Sequence, residues 1–452
     1  MSNALGTLSA IGRSSSVKLA SIGFLILVLL LPTAMIESVI DERAALAAHA
    51  REDIMRAWGR QQSLIGPVLV IPYTADIQRS DGRAAVRTGF VYHLPESLDA
   101  NLDVDAQLRY RGLYTVPVYT TAVKLSATFT PVPIAALGLT HATVHFDQAR
   151  LAIGLSDPRT LRETPEVSIG DTTIRFAAGA YQTNLLGPHI VAPLTLVDLT
   201  ESRGAFAMNS RFHLAGSDTL TLAPVADTNT ISMEGNWPGP SFQGNYLPTD
   251  REILDDGFVA NWQVTSLGRS YPTSWLDDAV TDQTLHSSLF GTQLKTPLST
   301  YQMAKRAVRY AILAIGLSFA CFFLFDTVSA LHLHPVQYLL IGFANCLFFL
   351  LLLTLSEHIA FLPAYLISAL ACTTLIGGYS AAVLHARRRA AVCVAALVAL
   401  YGFLFMTLRA QSLALLAGSV GLWLVLGTVM YLTRRVDWHV GASTPADGEL
   451  SR

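Results

Sequence analysis

HPVQYLLIGFANCLFFLLLLTLSEHIAFLPAYLI, His334 to Ile367, holds two apolar runs parted by a short polar break. A helix needs about 20 predominantly apolar residues to cross a bilayer, and each run approaches that length. The stretch predicts a helical hairpin in a membrane, with Pro335 at a favourable first-turn position. Outward along the 452 residues, the same criterion predicts about six spans, at 17–36, 308–325, 336–355, 359–384, 390–408 and 413–432. A mean hydropathy of +0.41 with 14% charged residues is high for a soluble protein. The excess sits in those runs, and the long segment between the first two spans has ordinary soluble composition.

The first apolar stretch is longer than the core of a secretory signal and no convincing cleavage site follows it, so it is predicted to stay as an anchor. Orientation follows from the basic residues near span ends. With the N-terminus in the cytoplasm, Arg13, Lys18, the run Arg387-Arg388-Arg389 and Arg434-Arg435 all fall inside, and the short outer loops keep only Arg409. Lys305, Arg306 and Arg309 would then lie outside, at the end of a long translocated segment, where the charge rule is weak. Both termini are predicted to be cytoplasmic, with residues 37–307 outside the cytoplasm.

All four cysteines (Cys321, Cys346, Cys372 and Cys393) fall in the C-terminal apolar runs, so the polar segment must fold without disulfides. No zinc-type cysteine spacing occurs. A formal net charge of −2 and the lack of a basic stripe argue against nucleic-acid binding. His332 and His334, in the loop between the second and third spans, are expected to be solvated interfacial histidines.

ESVIDERAALAAHAREDIMRAWGRQQ, Glu37 to Gln62, is rich in helix formers. It predicts a stalk helix over 37–65, reaching roughly 30 Å at 1.5 Å per residue and stopped by Gly66-Pro67. Residues 66–307 then predict one β-rich, sandwich-like domain. NLDVDAQLRYR, from Asn101, alternates with Leu102, Val104, Ala106, Leu108 and Tyr110 on one face, and VKLSATF, from Val123, alternates as cleanly. Further strands are expected near 144–153, 172–177, 205–214, 219–225, 229–234 and 258–265, together suggesting an antiparallel sandwich or related layered fold. His141 and His145 form HxxxH, but on a strand that spacing spans about 13 Å, too far for a shared metal. No nucleophile elbow, phosphate loop or Ser-x-x-Lys pair occurs, so no metal, cofactor or catalytic residue is expected. GNWPGPSFQGNYLPTD, from Gly235, carries Trp237, Phe242 and Tyr246. Two readings fit it: a ligand-binding loop, or an aromatic plug over the β core, the latter favoured.

Several stretches together are similar to the CreD family of inner-membrane proteins, also called cell-envelope-integrity proteins. They are WGRQQSLIGPVLVIPY from Trp58, VPVYTTAVKLSATF from Val116, GNWPGPSFQGNYLPTDREILDDGFVANW from Gly235, YQMAKRAVRYAIL from Tyr301 and the opening stretch from His334. The resemblance implies a bacterial inner-membrane protein under a two-component stress regulon, associated with envelope integrity, colicin tolerance and β-lactam response. It implies no catalytic residues.

Two readings are open for Glu357 and His358. In the structural one, Ser356 caps the fourth span, Glu357 sits in its first turn where the helix dipole favours a carboxylate, and His358 lies among headgroups. In the functional one they form a proton- or ligand-binding pair at a cavity mouth. Asn345, mid-span, is expected to bond Ser368 or Thr373 on the antiparallel neighbour as interhelical glue. Gly377-Gly378 and the Ala417/Gly421 spacing suit close helix packing, and Pro363 is expected to kink the fourth span. The favoured function is non-enzymatic: a periplasmic β domain that binds something, anchored by a cytoplasm-tailed bundle of residues 308–435. The alternatives are a lipid or cell-wall-precursor transporter or membrane enzyme at the outer face, and a signalling partner of a two-component sensor kinase. The expected partners are the lipid bilayer and, beyond it, envelope or two-component-system membrane proteins, with no nucleic acid, and oligomeric state is left open.

Overall fold

The computed structural model describes residues 15–78, 84–179, 185–194, 205–296, 300–328, 333–384 and 386–409, with single positions between 416 and 434. The chain divides into two compact units, Met1–Ala47 with Leu298–Arg452, and Ala48–Pro297. The helices are α1 (Ser15–Trp58), α2 (Asp282–Ser287), α3 (Thr300–Arg309), α4 (Ala311–Val328), α5 (Pro335–Ser356), α6 (Phe361–Val383) and α7 (Arg387–Arg409).

Among the described residues, α1, α5, α6 and α7 are long and apolar enough to cross a membrane. The pair α3–α4 makes a fifth span if its 43° bend is counted within one crossing. Most of the sixth predicted span lies outside the described residues, as do His332, Ala417, Gly421 and the terminal tails. The second span was expected to run unbroken from residue 308, but the chain bends at Tyr310. On α3, buried Tyr301, Ala304, Ala307 and Val308 share one face and polar residues the other. Helix α4 is apolar nearly all round, so the two suit different surroundings, and the bend falls where one pattern gives way to the other.

Within the helical unit α1 packs on α5, where Gly342 lies so close to Leu29 that any Cβ there would collide with the leucine side chain. The opposite side of α1 leaves Phe24, Leu27, Leu31 and Met35 exposed, the apolar face that lipid would cover. His334 has a defined role beyond that of a solvated residue. It caps α5, its ring accepting from the Val336 amide at 3.3 Å while the Gln337 side chain accepts from the His334 amide at 2.9 Å. Pro363 falls in the first turn of α6, where its missing amide removes no intrahelical bond, so no kink follows from it.

Helix α1 ends at Trp58, before Gly66-Pro67. The cause is Gly59, whose positive φ of 135° breaks the helical path while its amide still closes the last turn on Met55 at 2.9 Å. The β unit follows as two sheets. The larger runs through strands Pro240–Gly244, Phe290–Leu294, Thr219–Leu222, Gln62–Gln78, Arg150–Leu155, His189–Pro193 and Ala177–Ala178, with Ala84–His93, Ala142–Val144 and Ser274–Leu276 joined at its side. The smaller runs Asp250–Ile253, Phe258–Thr265, Thr228–Gly235, Ser97–Arg111, Tyr114–Phe129, Phe206–Ser217, Glu166–Ile169 and Thr172–Arg175.

One core lies between them, filled by Val68, Ile71 and Leu151 from one sheet and Leu102, Val123, Phe212 and Trp262 from the other. The pairing is mostly antiparallel, with two parallel exceptions. Gln62–Leu64 lies parallel to Leu220–Leu222, and Thr228–Gly235 parallel to Ser97–Val104. Parallel neighbours are joined by long crossovers, which leave no local signature. The predicted apolar face of Ser97–Arg111 is also only partly buried. Leu98, Ala100, Leu102, Val104 and Ala106 point into the core, but Leu108 and Tyr110 are exposed because the hairpin tip runs past the core edge.

Candidate functional site

Three arrangements bring chemistry together. The first lies inside the helical unit, around Asn345, whose side chain is fully buried. Its amide nitrogen donates to Ser318 Oγ of α4 at 3.2 Å and to the Ile341 carbonyl at 3.0 Å. Its oxygen accepts from the Tyr401 hydroxyl of α7 at 3.3 Å. The Tyr365 hydroxyl of α6 donates to the Tyr401 carbonyl at 2.7 Å. Four helices are thus tied by one polar seam, with Phe348 packed between the two tyrosine rings. The expected partners Ser368 and Thr373 are not used. Ser368 donates back to Ala364 of its own helix. Gly377 meets Val394 of α7 closely, whereas Gly378 faces open space.

The second arrangement lies at the α5–α6 turn. Glu357 is the C-terminal cap position of α5, and α6 begins only at Phe361, after Ala360. The capping role expected of Ser356 is therefore absent; its hydroxyl donates to the Leu353 carbonyl at 3.0 Å. Glu357 sits at the helix end whose dipole disfavours a carboxylate. What holds it is the Tyr301 hydroxyl of α3, which donates to Glu357 Oε1 at 3.0 Å. His358 is exposed beside it, its backbone amide closing on Leu355. Helix α3 is also fixed to α1 by the ion pair Lys305–Asp41 at 2.6 Å.

The third lies in the β unit, where the last turns of α1 meet the sheets. The Trp58 indole donates to the Tyr119 carbonyl at 3.2 Å, and the guanidiniums of Arg109 and Arg162 lie 4.5 and 4.8 Å from its ring centroid. Arg111 pairs with Asp53 at 2.8 Å. Beside this joint opens a cleft of about 890 Å³, lined by Glu52, Met55, Arg60, Asp157, Arg159 and His189 among others. Its charges are set in pairs. Arg60 reaches Glu52 at 2.5 Å, and Arg159 grips Asp157 through two nitrogens at 2.8 and 2.7 Å. Those bonds hold the Asp157 carboxyl below the usual range. His189 Nδ1 lies 2.8 Å from the Gly187 carbonyl, an acceptor only, so that nitrogen carries a proton.

Trp237 and Tyr246 pack on the β core. The Trp237 indole donates to the Lys295 carbonyl at 3.1 Å, and the Tyr246 hydroxyl to the Gly268 carbonyl at 2.7 Å. Phe242 meets Trp262 edge to face at 5.7 Å. The polar atoms of Trp237 and Tyr246 are thus engaged with backbone. Glu357, His358 and Asn345 belong to the other unit. Among the described residues no three His, Cys, Asp or Glu side chains converge as metal ligands would. Sequence reasoning passed over Tyr301, Ser318, Tyr365 and Tyr401, and the whole cleft, whose lining comes from distant parts of the chain.

The sequence profile of the family described as "Inner membrane protein CreD" matches residues 14–439. The chain belongs to the CreD family. It is similar to the "Inner membrane protein CreD" of Escherichia coli (strain K12), 32% identical over 435 residues that cover 93% of each chain. For a CreD-family inner-membrane protein the apolar exterior of α1 and the internal seam around Asn345 have a common cause. In hydrocarbon, polar side chains must find partners within the bundle while apolar ones face out.

Proposed function

We propose that this chain is a non-enzymatic protein of cell-envelope integrity and stress response, whose β unit stands on the periplasmic side and binds a small ligand or partner segment in the cleft beside Trp58. The observation that carries the reading is the cleft itself. Its volume of about 890 Å³ falls in the range of small-molecule sites, and its charged walls are fixed by internal pairs before any ligand arrives. Glu52 and Met55, which line it, lie on the same helix that begins as the first span. The periplasmic placement is supported by the basic residues grouped at Arg387–Arg389.

The test is a gene deletion complemented by wild type or by the Arg60→Gln, Arg159→Gln double variant, scored for sensitivity to detergent, β-lactam and colicin. A deletion without any change in sensitivity sinks the envelope role. A sensitive deletion fully rescued by the double variant sinks the cleft as its site.

The Tyr301–Glu357 contact at 3.0 Å favours a second reading, in which the α5–α6 turn handles a lipid or cell-wall precursor. Glu357→Gln, with normal abundance, should then lose complementation; full rescue ends that reading.

A further inference from the structure

We infer that the outward face of α3 is a binding site for the phosphodiester headgroups of anionic phospholipids, held by Arg306 and Arg309. The inference stands apart from the cleft and needs neither reading of the α5–α6 turn.

Three features of the helical unit support it. Helix α3 is placed by its buried face, Tyr301, Ala304, Ala307 and Val308, and by two polar contacts, Tyr301 to Glu357 and Lys305 to Asp41. The two carboxylates that touch it are therefore engaged elsewhere on the helix. Arg306 and Arg309 form no ion pair among the described residues, and Arg309 is exposed. Three residues apart, they project from the same side of the helix. Half-buried Arg306 and exposed Arg309, unpaired among the described residues on a helix fixed by its other contacts, are free to take an anion.

The depth identifies that anion. Tyr310 and the 43° bend follow Arg309 directly, and Ala311 then opens an 18-residue apolar helix. The guanidiniums thus sit one turn above the start of the hydrocarbon, where lipid phosphates lie and where tyrosine is favoured. A planar guanidinium takes two phosphate oxygens at once, so two of them one helical turn apart suit phosphodiesters rather than a diffuse negative surface. A basic side chain near an anionic membrane contributes about a fivefold gain in affinity, so the pair predicts roughly twenty-five-fold.

The experiment uses the full-length chain, stripped of lipid in neutral detergent and titrated with phosphatidylglycerol or phosphatidylcholine of identical acyl chains. Bound lipid is counted by native mass spectrometry. The wild type should retain phosphatidylglycerol in preference, and Arg306→Gln with Arg309→Gln should lower that affinity about twenty-five-fold and leave phosphatidylcholine unchanged. The wild-type preference should also fall as salt is raised, a readout that survives even if the double variant does not fold. Equal retention of the two lipids, a salt-independent preference, an unaffected double variant, or complete displacement by inorganic phosphate would each overturn the inference.

Discussion

Replacing Asn345 by alanine tests the seam that joins the helices of the membrane unit. Two interhelical hydrogen bonds disappear, to Ser318 at 3.2 Å and from Tyr401 at 3.3 Å. Bonds of this kind within membrane bundles contribute about 0.6 kcal/mol each, with a maximum near 1.7. The Tyr401 hydroxyl is also left buried without its acceptor, which costs about 1–3 kcal/mol. The sum is roughly 2–4 kcal/mol, since the bond to Ile341 lies within α5 and is lost without consequence between helices. The assay is reversible unfolding of the full-length chain in mixed detergent, followed by helical circular dichroism. A double-mutant cycle with Tyr401→Phe isolates the shared bond and should return a coupling of about 0.6–1.7 kcal/mol. An alanine variant as stable as wild type, or a cycle with no coupling, would refute the claim that Asn345 ties α5 to α4 and α7.

In the β unit, Trp58→Leu removes two cation–π contacts of about 0.5–1 kcal/mol each and an indole hydrogen bond of about 1 kcal/mol. Chemical unfolding monitored by the remaining tryptophans should show a loss of about 2–3 kcal/mol, and an unchanged midpoint would contradict the joint seen with Arg109, Arg162 and Tyr119. His93 supplies a pH dependence. Its Nε2 lies 2.9 Å from the Thr130 carbonyl and its Nδ1 2.7 Å from Ser274 Oγ, so the neutral ring donates to the carbonyl and accepts from the hydroxyl. Burial lowers its pKa, against a smaller opposing pull from the Thr130 carbonyl and Asp227. The unfolded chain therefore binds a proton the folded one resists, and stability present above about pH 6.5 declines as pH falls toward the depressed folded value. Thermal unfolding on stepwise acidification should show that decline, and His93→Gln should flatten it; an equal slope in the variant removes His93 as the cause.

Features set by local pattern were legible in the sequence. The α5–α6 hairpin follows from run length, and strands Ser97–Arg111 and Tyr114–Phe129 from their period of two. Features set by distant residues were not. Asn345 was recognised as buried glue, yet its partners Ser318 and Tyr401 come from helices 27 and 56 residues away, in place of the antiparallel neighbour. Leu108 and Tyr110 keep the apolar alternation beyond the point where the opposite sheet can cover them. Ser356 and Glu357 look like a helix start because caps use such residues, but the last turn of α5 extends to include Ser356. The cleft is invisible locally, since Glu52 comes from α1 while Asp157 and His189 are brought together by the pairing of Arg150–Leu155 with His189–Pro193.

The side of the membrane that holds the β unit decides which ligands and partners its cleft can meet. A single thiol introduced in the cleft wall by Ser156→Cys, in the full chain, can be probed with an impermeant maleimide on intact spheroplasts, with the unsubstituted chain as the blank. Labelling without lysis is the predicted result. Labelling only after the membrane is broken would put the β unit in the cytoplasm and contradict the account.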